Sequence, residues 1–209
     1  MINVKAYTLA QELSKKVSIS NELKKAFESI DRELFVPKGF NMFAFSLDAL
    51  PIQSKQFISS PITVAKMTMA LEPKGADSVL EIGCGSGYQA AILSKLFRRV
   101  FTVERIKTLL DEALERFKKL ELKNINAKHD DGINGWKTFA PYDRILFSAS
   151  CLVPPMALMD QLKDGGILVA PIQKGDKQVI TRFFKDGIKV IEQELEECHF
   201  VPVLPGVEI

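Results

Sequence analysis

Residues 79–88 read VLEIGCGSGY, and this stretch decides the fold. An apolar run that carries an acid at Glu81 is followed by glycines at alternate positions, Gly83, Gly85 and Gly87. The next residues, 89–93, read QAAIL and favour a helix. This order predicts a buried parallel strand, a tight backbone turn and a helix N-terminus. That arrangement cradles nucleotide-like ligands in open α/β sheets.

The spacing of the glycines distinguishes between possible ligands. A dinucleotide-binding turn has the pattern G-x-G-x-x-G, and Tyr88 stands where its third glycine would be. The alternating pattern is a poor match for a pyrophosphate site and fits S-adenosylmethionine, which carries no phosphate. Glu104 ends the next apolar strand about 20 residues after the first glycine, where an acid can accept hydrogen bonds from ribose hydroxyls. Ordinary turn glycines are the alternative, but strand, glycines, helix, strand and acid occur together, which favours the cofactor site.

Length, charge and apolar content exclude several classes of protein. The 209 residues are enough for one domain with a full core, and the net charge of +2 indicates no nucleic-acid-binding stripe. We find no apolar stretch of the length that spans a membrane. Residues 1–20 have neither the apolar centre nor the cleavage site of a signal peptide. We therefore expect a cytoplasmic protein without nucleic-acid or membrane partners.

The cysteines and histidines do not form a recognisable pattern. Cys84, Cys151 and Cys198 are scattered, and His129 and His199 lie far from one another. No pair has the spacing of metal ligands, and C-x-x-C is absent. We expect neither a disulfide framework nor a metal site.

Hydrophobic periodicity predicts alternating elements after an N-terminal helical part. Helices are expected at 4–16 and 20–30, and a third runs from Pro61 to about Leu71, with Ser60 as its N-cap. Residues 38–58 between them are loop-like and rich in aromatic side chains. The following strands are predicted at 78–82, 100–104, 125–129, 144–148 and 167–171, the last after a Gly165-Gly166 turn, with helices at 87–97, 107–120 and 155–162.

The C-terminal part has a different character. Residues 178–185 and 188–196 predict a β-hairpin across Asp186-Gly187, and 199–204 predict a last extended piece. We expect an α/β fold: a doubly wound, Rossmann-like sheet with N-terminal helices and antiparallel C-terminal edge strands. It forms one domain over 1–209. Its parts are an N-terminal helical and substrate-loop segment (1–72), a cofactor-binding core (73–172) and C-terminal strands (173–209).

Polar residues gather where the carboxyl ends of the strands meet. Asp131 and Gly132 follow the third strand, beside the glycine loop and Glu104, and a carboxylate there can accept from amino groups. Asp-Asp-Gly alone is typical of a turn, but its position after the strand favours a site. Trp136 could line the cavity or cover the core. Serines before Pro61 are usually caps, and because G-x-S-x-G is absent, a serine here would act by hydrogen bonding and not by attack.

Taken together, the sequence resembles the bacterial protein-L-isoaspartate O-methyltransferases. Segments 31–37 and 48–61 match motifs specific to that family, whereas the glycine loop is shared by many methyltransferases. The matching segments are DR..FVP at 31–37, DALPI at 48–52, Gln56 with Ile58, Ser59 and Pro61, LEIG.GSGYQ at 80–89, VER at 103–105, and FVP at 200–202.

The resemblance implies methyl transfer from S-adenosylmethionine to the α-carboxylate of L-isoaspartyl residues in damaged proteins, which initiates repair. It places Ser59 at the catalytic position, with Ile58, Ser59 and Ser60 binding the substrate. It assigns the cofactor to Gly83, Gly85, Ser86, Gly87, Glu104, Arg105, Asp131, Gly132 and, more weakly, Gln178.

Some residues depart from the family pattern. Lys55 and Phe57 replace a glycine and a threonine, Asp130 replaces a glycine, and His199 replaces an arginine. Phe57 and His199 lie in segments that we expect to face the substrate, so these departures concern peptide preference. Two alternatives stay open: a methyltransferase of the same fold that acts on another carboxylate, and a cofactor-binding protein without turnover. The oligomeric state is not indicated by the sequence.

Overall fold

A seven-stranded sheet forms the centre of the molecule in the computed structural model, which describes residues 3–209. A short hairpin, β1 (Leu50–Pro51) with β2 (Phe57–Ile58), precedes it. The strands of the main sheet are β3 (Ser78–Ile82), β4 (Arg99–Glu104), β5 (Ile125–His129), β6 (Tyr142–Phe147), β7 (Leu162–Lys174), β8 (Lys177–Asp186) and β9 (Lys189–Cys198). Their order is β5-β4-β3-β6-β7-β8-β9. Neighbours from β5 to β7 pair in parallel, and the last two pairings are antiparallel.

Helices cover both faces of this sheet. They are α1 (Val4–Lys16), α2 (Asn21–Ser29), α3 (Pro61–Ala70), α4 (Tyr88–Leu93), α5 (Lys107–Lys119) and α6 (Met156–Asp160). The predicted cap of α3 is confirmed, since Ser60 accepts from the Thr63 amide at 3.0 Å. At the start of α2, Ser20 accepts from the Leu23 amide at 3.1 Å. No helix among residues 3–209 is long and apolar enough to cross a membrane.

Two apolar clusters form the core, one on each face. In the first, side chains of α1 to α5 pack against the sheet. In the second, side chains of α6 and a group of aromatic residues that includes Phe101 pack against the other face. Trp136 belongs to that group: its ring centroid lies 5.8 Å from that of Phe101, and its carbonyl accepts from the Tyr142 hydroxyl at 2.5 Å. Trp136 therefore covers the core and does not line the cavity described below. The predicted fold class, a doubly wound sheet with antiparallel edge strands, is confirmed.

Some predicted boundaries were wrong. Helix α4 ends at Leu93 and is followed by a turn at 94–96, so it is shorter than the predicted 87–97. The Gly165-Gly166 pair does not precede β7 but lies within it, at an irregularity between the pairings of Leu162 and Ile167. Residues 199–204 do not form a strand: they make only an isolated parallel bridge, in which Pro202 pairs with Ser150.

The strand order fixes where a ligand can bind. The chain moves outward from β3 through β4 to β5 and then returns to the other side of β3 with β6. In open α/β sheets, ligands occupy the crevice outside the carboxyl ends of the strands at this reversal. The glycine loop follows β3 directly, so it stands at that crevice.

Candidate active site

A cavity opens at the carboxyl ends of β3, β4 and β6. Its empty volume is about 910 Å³, a figure that includes space in the open mouth. The walls come from the β2–α3 connection, the glycine loop, the end of β4 and the C-terminal segment. Lining residues include Ile58, Ser59, Glu81, Gly83, Gly85, Ser86, Glu104, Arg105, Gly132, Ser148 and residues 201–204.

The glycines of the loop differ in what they do. Gly83 lines the cavity with φ of 91°, a conformation that favours glycine. Gly87 also has positive φ but is not among the lining residues. A Cβ on Gly87 would lie 2.7 Å from the Phe117 ring, so this glycine lets α4 pack against α5. Of the three glycines in this loop that were predicted to bind the cofactor, the structure brings Gly83 and Gly85 to the cavity wall.

Glu104 is held at the wall by two backbone donors. One carboxylate oxygen accepts from the Gly85 amide at 2.7 Å and the other from the Ile106 amide at 2.9 Å. The side chain is buried, and β4 ends at this residue. An ionised carboxylate has about four acceptor positions, so Glu104 keeps capacity for the hydroxyls of a ligand.

Glu81 is a second carboxylate at the cavity, and we did not assign it from the sequence. It is fully buried in β3 and accepts from the Thr102 hydroxyl at 2.6 Å and the Ser148 hydroxyl at 3.1 Å. Burial raises the pKa of Glu81 to about 8, although the two hydrogen bonds oppose the shift. No Lys or Arg among residues 3–209 forms an ion pair with it. The available signal was an acid inside an otherwise apolar strand.

On the substrate side, two neighbouring serines have different surroundings. Ser59 lines the cavity, and its hydroxyl makes no hydrogen bond within the part of the chain that the structure describes. Ser60 is not among the lining residues, and its hydroxyl is engaged with the amide and hydroxyl of Thr63. Ile58 lines the cavity with only 2% of its surface exposed. Ser59 is therefore the serine whose hydroxyl is available to a substrate.

Arg32 holds the backbone of this segment in place. Its buried guanidinium donates to the Ser59 carbonyl at 3.1 Å, the Asp48 carbonyl at 2.9 Å and the Ala44 carbonyl at 2.7 Å. It also lies 5.6 Å from the ring centroid of Tyr88, the first residue of α4. This arginine of the DR..FVP segment therefore connects the serine to the helix that follows the glycine loop.

Besides Gly87, two predicted cofactor residues lie outside the cavity wall. The Asp131 carboxylate accepts from the Ile133 amide at 3.0 Å and the Gly206 amide at 2.7 Å. The Gln178 side chain accepts from the Phe200 amide at 2.6 Å and donates to Ser150, so it ties β8 to the C-terminal segment. The structure does not bring Gln178 to the ligand crevice, because its amide is used in these tethers.

Arg105 and Gly132 do line the cavity, as predicted, together with Ser86. The Arg105 guanidinium is paired with Glu208 at 3.1 Å and donates to the Gly206 carbonyl at 3.1 Å. Gly132 packs so closely that a Cβ would lie 2.6 Å from Ile82. His199, one of the departures, is exposed and outside the wall.

The polar side chains that line the cavity fit S-adenosylmethionine. Glu104 gives the cavity a carboxylate and Glu81 a buried carboxyl group whose pKa is raised to about 8, while Arg105, the one basic lining residue among residues 3–209, is already paired with Glu208. This excess of acceptor oxygens over basic groups suits a ligand with an amino group and ribose hydroxyls. The parallel sheet, the glycine loop and the acid after β4 define an S-adenosylmethionine-dependent methyltransferase.

Within that class, the chain belongs to the protein-L-isoaspartate O-methyltransferase family. The family model described as Protein-L-isoaspartate(D-aspartate) O-methyltransferase matches residues 4–208. The protein-L-isoaspartate O-methyltransferase of Helicobacter pylori strain G27 is 54% identical over 209 residues, which is 100% of both chains. The resemblance inferred from the motifs is thereby confirmed.

Solved structures agree with the fold. A protein-L-isoaspartate O-methyltransferase has a TM-score of 0.90 at 25% identity, over 97% of this chain and 67% of that chain. A putative enzyme of the same name from Plasmodium falciparum, in complex with S-adenosyl-L-homocysteine, has a TM-score of 0.84 at 22% identity. That likeness covers 95% of this chain and 97% of the other.

Proposed function

We propose that this chain transfers the methyl group of S-adenosylmethionine to the α-carboxylate of L-isoaspartyl residues in damaged proteins and peptides, and that Ser59 orients that carboxylate. One observation carries the role of Ser59. Its unengaged hydroxyl lines the same cavity as the glycine loop and Glu104. Carboxylate and donor can therefore meet in one enclosed space.

The chemistry requires little activation by the protein. A bound sulfonium supplies an activated methyl group. The accepting carboxylate has an ordinary pKa near 4, so it is ionised at neutral pH and needs no general base. What remains for the chain is to hold the carboxylate oxygen in line with the methyl group and to exclude water.

Local structure provides for both tasks. The Ser59 hydroxyl can donate to one carboxylate oxygen, and the positive end of the α3 dipole lies one residue further along. Ile58 and Val64 form an apolar wall beside the serine, with 2% and 1% of their surfaces exposed. A carboxylate bound here is positioned by few donors and shielded by apolar side chains.

We propose the following division of the chain. Segment 1–72 presents the substrate, the core 73–172 holds the donor, and the strands of 173–209 support the C-terminal side of the cavity. The donor is held by the cavity-lining residues Gly83, Gly85, Ser86, Glu104, Arg105 and Gly132. Three free cysteines support a reducing compartment, the cytoplasm.

A paired-peptide assay tests the function. The protein is incubated with methyl-labelled S-adenosylmethionine and two peptides that differ only in an isoaspartyl or aspartyl linkage. We expect base-labile label in the isoaspartyl peptide alone. Equal labelling of both peptides would favour action on another carboxylate. Calorimetric binding of the donor with no labelled product would favour a binding protein without turnover.

A further inference from the structure

Apolar side chains surround the mouth of the cavity. Phe57 exposes 56% of its surface and Leu204 exposes 48%, and both are lining residues, as are Val201 and Val203. We call these four residues the apolar rim. A single exposed apolar residue is ordinary on a protein surface, but these four border one opening that leads to the reacting groups.

Backbone contacts hold both sides of the rim. Phe57 is in β2, paired with Pro51 of β1. In the C-terminal segment, the backbone of Ser150 donates to the Val201 carbonyl and accepts from the Val203 amide, both at 2.8 Å. The rim is therefore built before a substrate arrives, and its exposed side chains are presented at low entropic cost.

The alternation of side chains relates Phe57 to the catalytic serine. Along extended backbone, residues two apart lie on the same side. Phe57, Ile58 and Ser59 all line the cavity, but Ile58 is buried in its wall, whereas Phe57, two residues before Ser59, exposes 56% of its surface. A residue next to the bound isoaspartyl group in a peptide chain would then lie close to the Phe57 ring.

We infer that the apolar rim is a subsite for a large apolar side chain next to the isoaspartyl residue, with Phe57 as its main determinant. This inference rests on the proposed function and adds the sequence context of the substrate. Large apolar residues are mostly buried in native proteins and become accessible in unfolded segments. The preferred substrate is thus an unfolded segment in which an isoaspartyl residue has an apolar neighbour.

Matched isoaspartyl peptides test the subsite. In each pair, the residue before or after the isoaspartyl group is Leu in one peptide and Ser in the other. For at least one of the two positions we expect kcat/KM to be about fivefold or more higher for the Leu peptide, the effect of partly burying one leucine. The difference should lie in KM, because the rim contacts the neighbour and not the reacting carboxylate.

Variants locate the effect. Phe57→Ala should reduce the ratio of kcat/KM for the Leu peptide to kcat/KM for the Ser peptide to within about twofold, and Phe57→Leu should restore much of this ratio. Ile191→Ala is the matched control: Ile191 is 55% exposed, but it lies on the edge strand β9, away from the cavity. A wild-type enzyme without the preference, or a Phe57→Ala variant that keeps it, would overturn the inference.

Calorimetric binding of the same peptides separates this inference from the proposed function. If neither peptide is methylated, the proposed function fails. Tighter binding of the Leu peptide, lost in Phe57→Ala, would then still support the subsite, and equal binding of both peptides would overturn it as well.

Discussion

At the scale of single residues, the site depends on which polar groups the fold leaves unengaged. The hydroxyl of Ser60 is used to cap α3, while that of Ser59, one residue earlier, is not used within residues 3–209. The sequence already favours Ser60 as the cap, because it directly precedes Pro61 at the first helical position. The hydrogen bonds of the two serines assign one to the fold and leave the other for a substrate.

Removing the Ser59 hydroxyl should affect turnover and not donor binding. In Ser59→Ala we expect kcat to fall about 10- to 100-fold, the effect of losing a hydrogen bond to a charged group. The thermal midpoint and the Kd for S-adenosylmethionine should stay as in the wild type, because the hydroxyl makes no hydrogen bond within residues 3–209. Steady-state kinetics on an isoaspartyl peptide, with calorimetry for the donor, measures both. An unchanged kcat would remove Ser59 from its role.

Glu81 makes the stability of the ligand-free protein depend on pH. Burial raises its pKa to about 8 from an ordinary value of 4.5. Between these pH values the unfolded chain is ionised at this group and the folded chain still binds the proton. The contribution of Glu81 to the free energy of unfolding is therefore fully present below about pH 4.5. It is lost as the pH rises toward 8, and the total loss is a few kcal/mol at most.

Urea unfolding of Glu81→Gln at several pH values checks this contribution. Glutamine retains the shape and can still bond to Thr102 and Ser148, but it does not titrate. We expect the variant to lose less stability than the wild type between pH 5 and about 8. Parallel curves for the two proteins would show that Glu81 is ionised in the folded state throughout this range.

At the scale of elements, the β2–α3 connection is positioned by a residue distant in the sequence. Arg32 contacts carbonyls of residues 44, 46, 48 and 59 and has no carboxylate partner within residues 3–209. A lysine has a point charge with three donors and cannot reproduce this planar fork. The position of Ser59 therefore depends on the guanidinium shape and not on charge alone.

Arg32→Lys should therefore weaken both the fold and the reaction. We expect a loss of stability of about 2–4 kcal/mol from carbonyls left without partners, and a lower kcat from a displaced Ser59. The donor Kd should change little, because the glycine loop keeps its own backbone contacts. Chemical unfolding, kinetics and donor calorimetry on one preparation separate these effects. An unaltered kcat in a destabilised variant would show that Arg32 supports only the fold.

Elements with local signals could be predicted from the sequence. β3, the glycine loop and Glu104 were placed correctly because strand pattern, glycine spacing and the terminal acid lie within about 25 residues. The surroundings of Asp131 and Gln178 could not be predicted in the same way. Their partners, Gly206 and Phe200, belong to the C-terminal segment, whose packing is set by long-range contacts with no local pattern.

At the scale of the whole molecule, the C-terminal residues close one side of the cofactor region. Residues 205–209 cross the ends of β4 and β5. There the backbone carbonyl of Glu208 accepts from the Lys107 amide at 2.9 Å, and the backbone amide of Glu208 donates to the Arg105 carbonyl at 2.7 Å. Gly206 is bound by Asp131 and Arg105. We call 205–209 the C-terminal strap. It holds two residues, Arg105 and Asp131, that the family resemblance assigns to the cofactor.

Deleting the strap should weaken donor binding without preventing folding. A chain that ends at Leu204 keeps the rim and both core clusters, but Arg105 and Asp131 lose their tethers. We expect the Kd for S-adenosylmethionine to rise about fivefold, equivalent to about 1 kcal/mol of lost ordering. Calorimetry on the truncated protein measures this change, and Ile209→Ala is the control because that side chain is 99% exposed. A truncated protein with wild-type donor affinity would mean that Arg105 and Asp131 are ordered without the strap, or that neither contributes to donor binding.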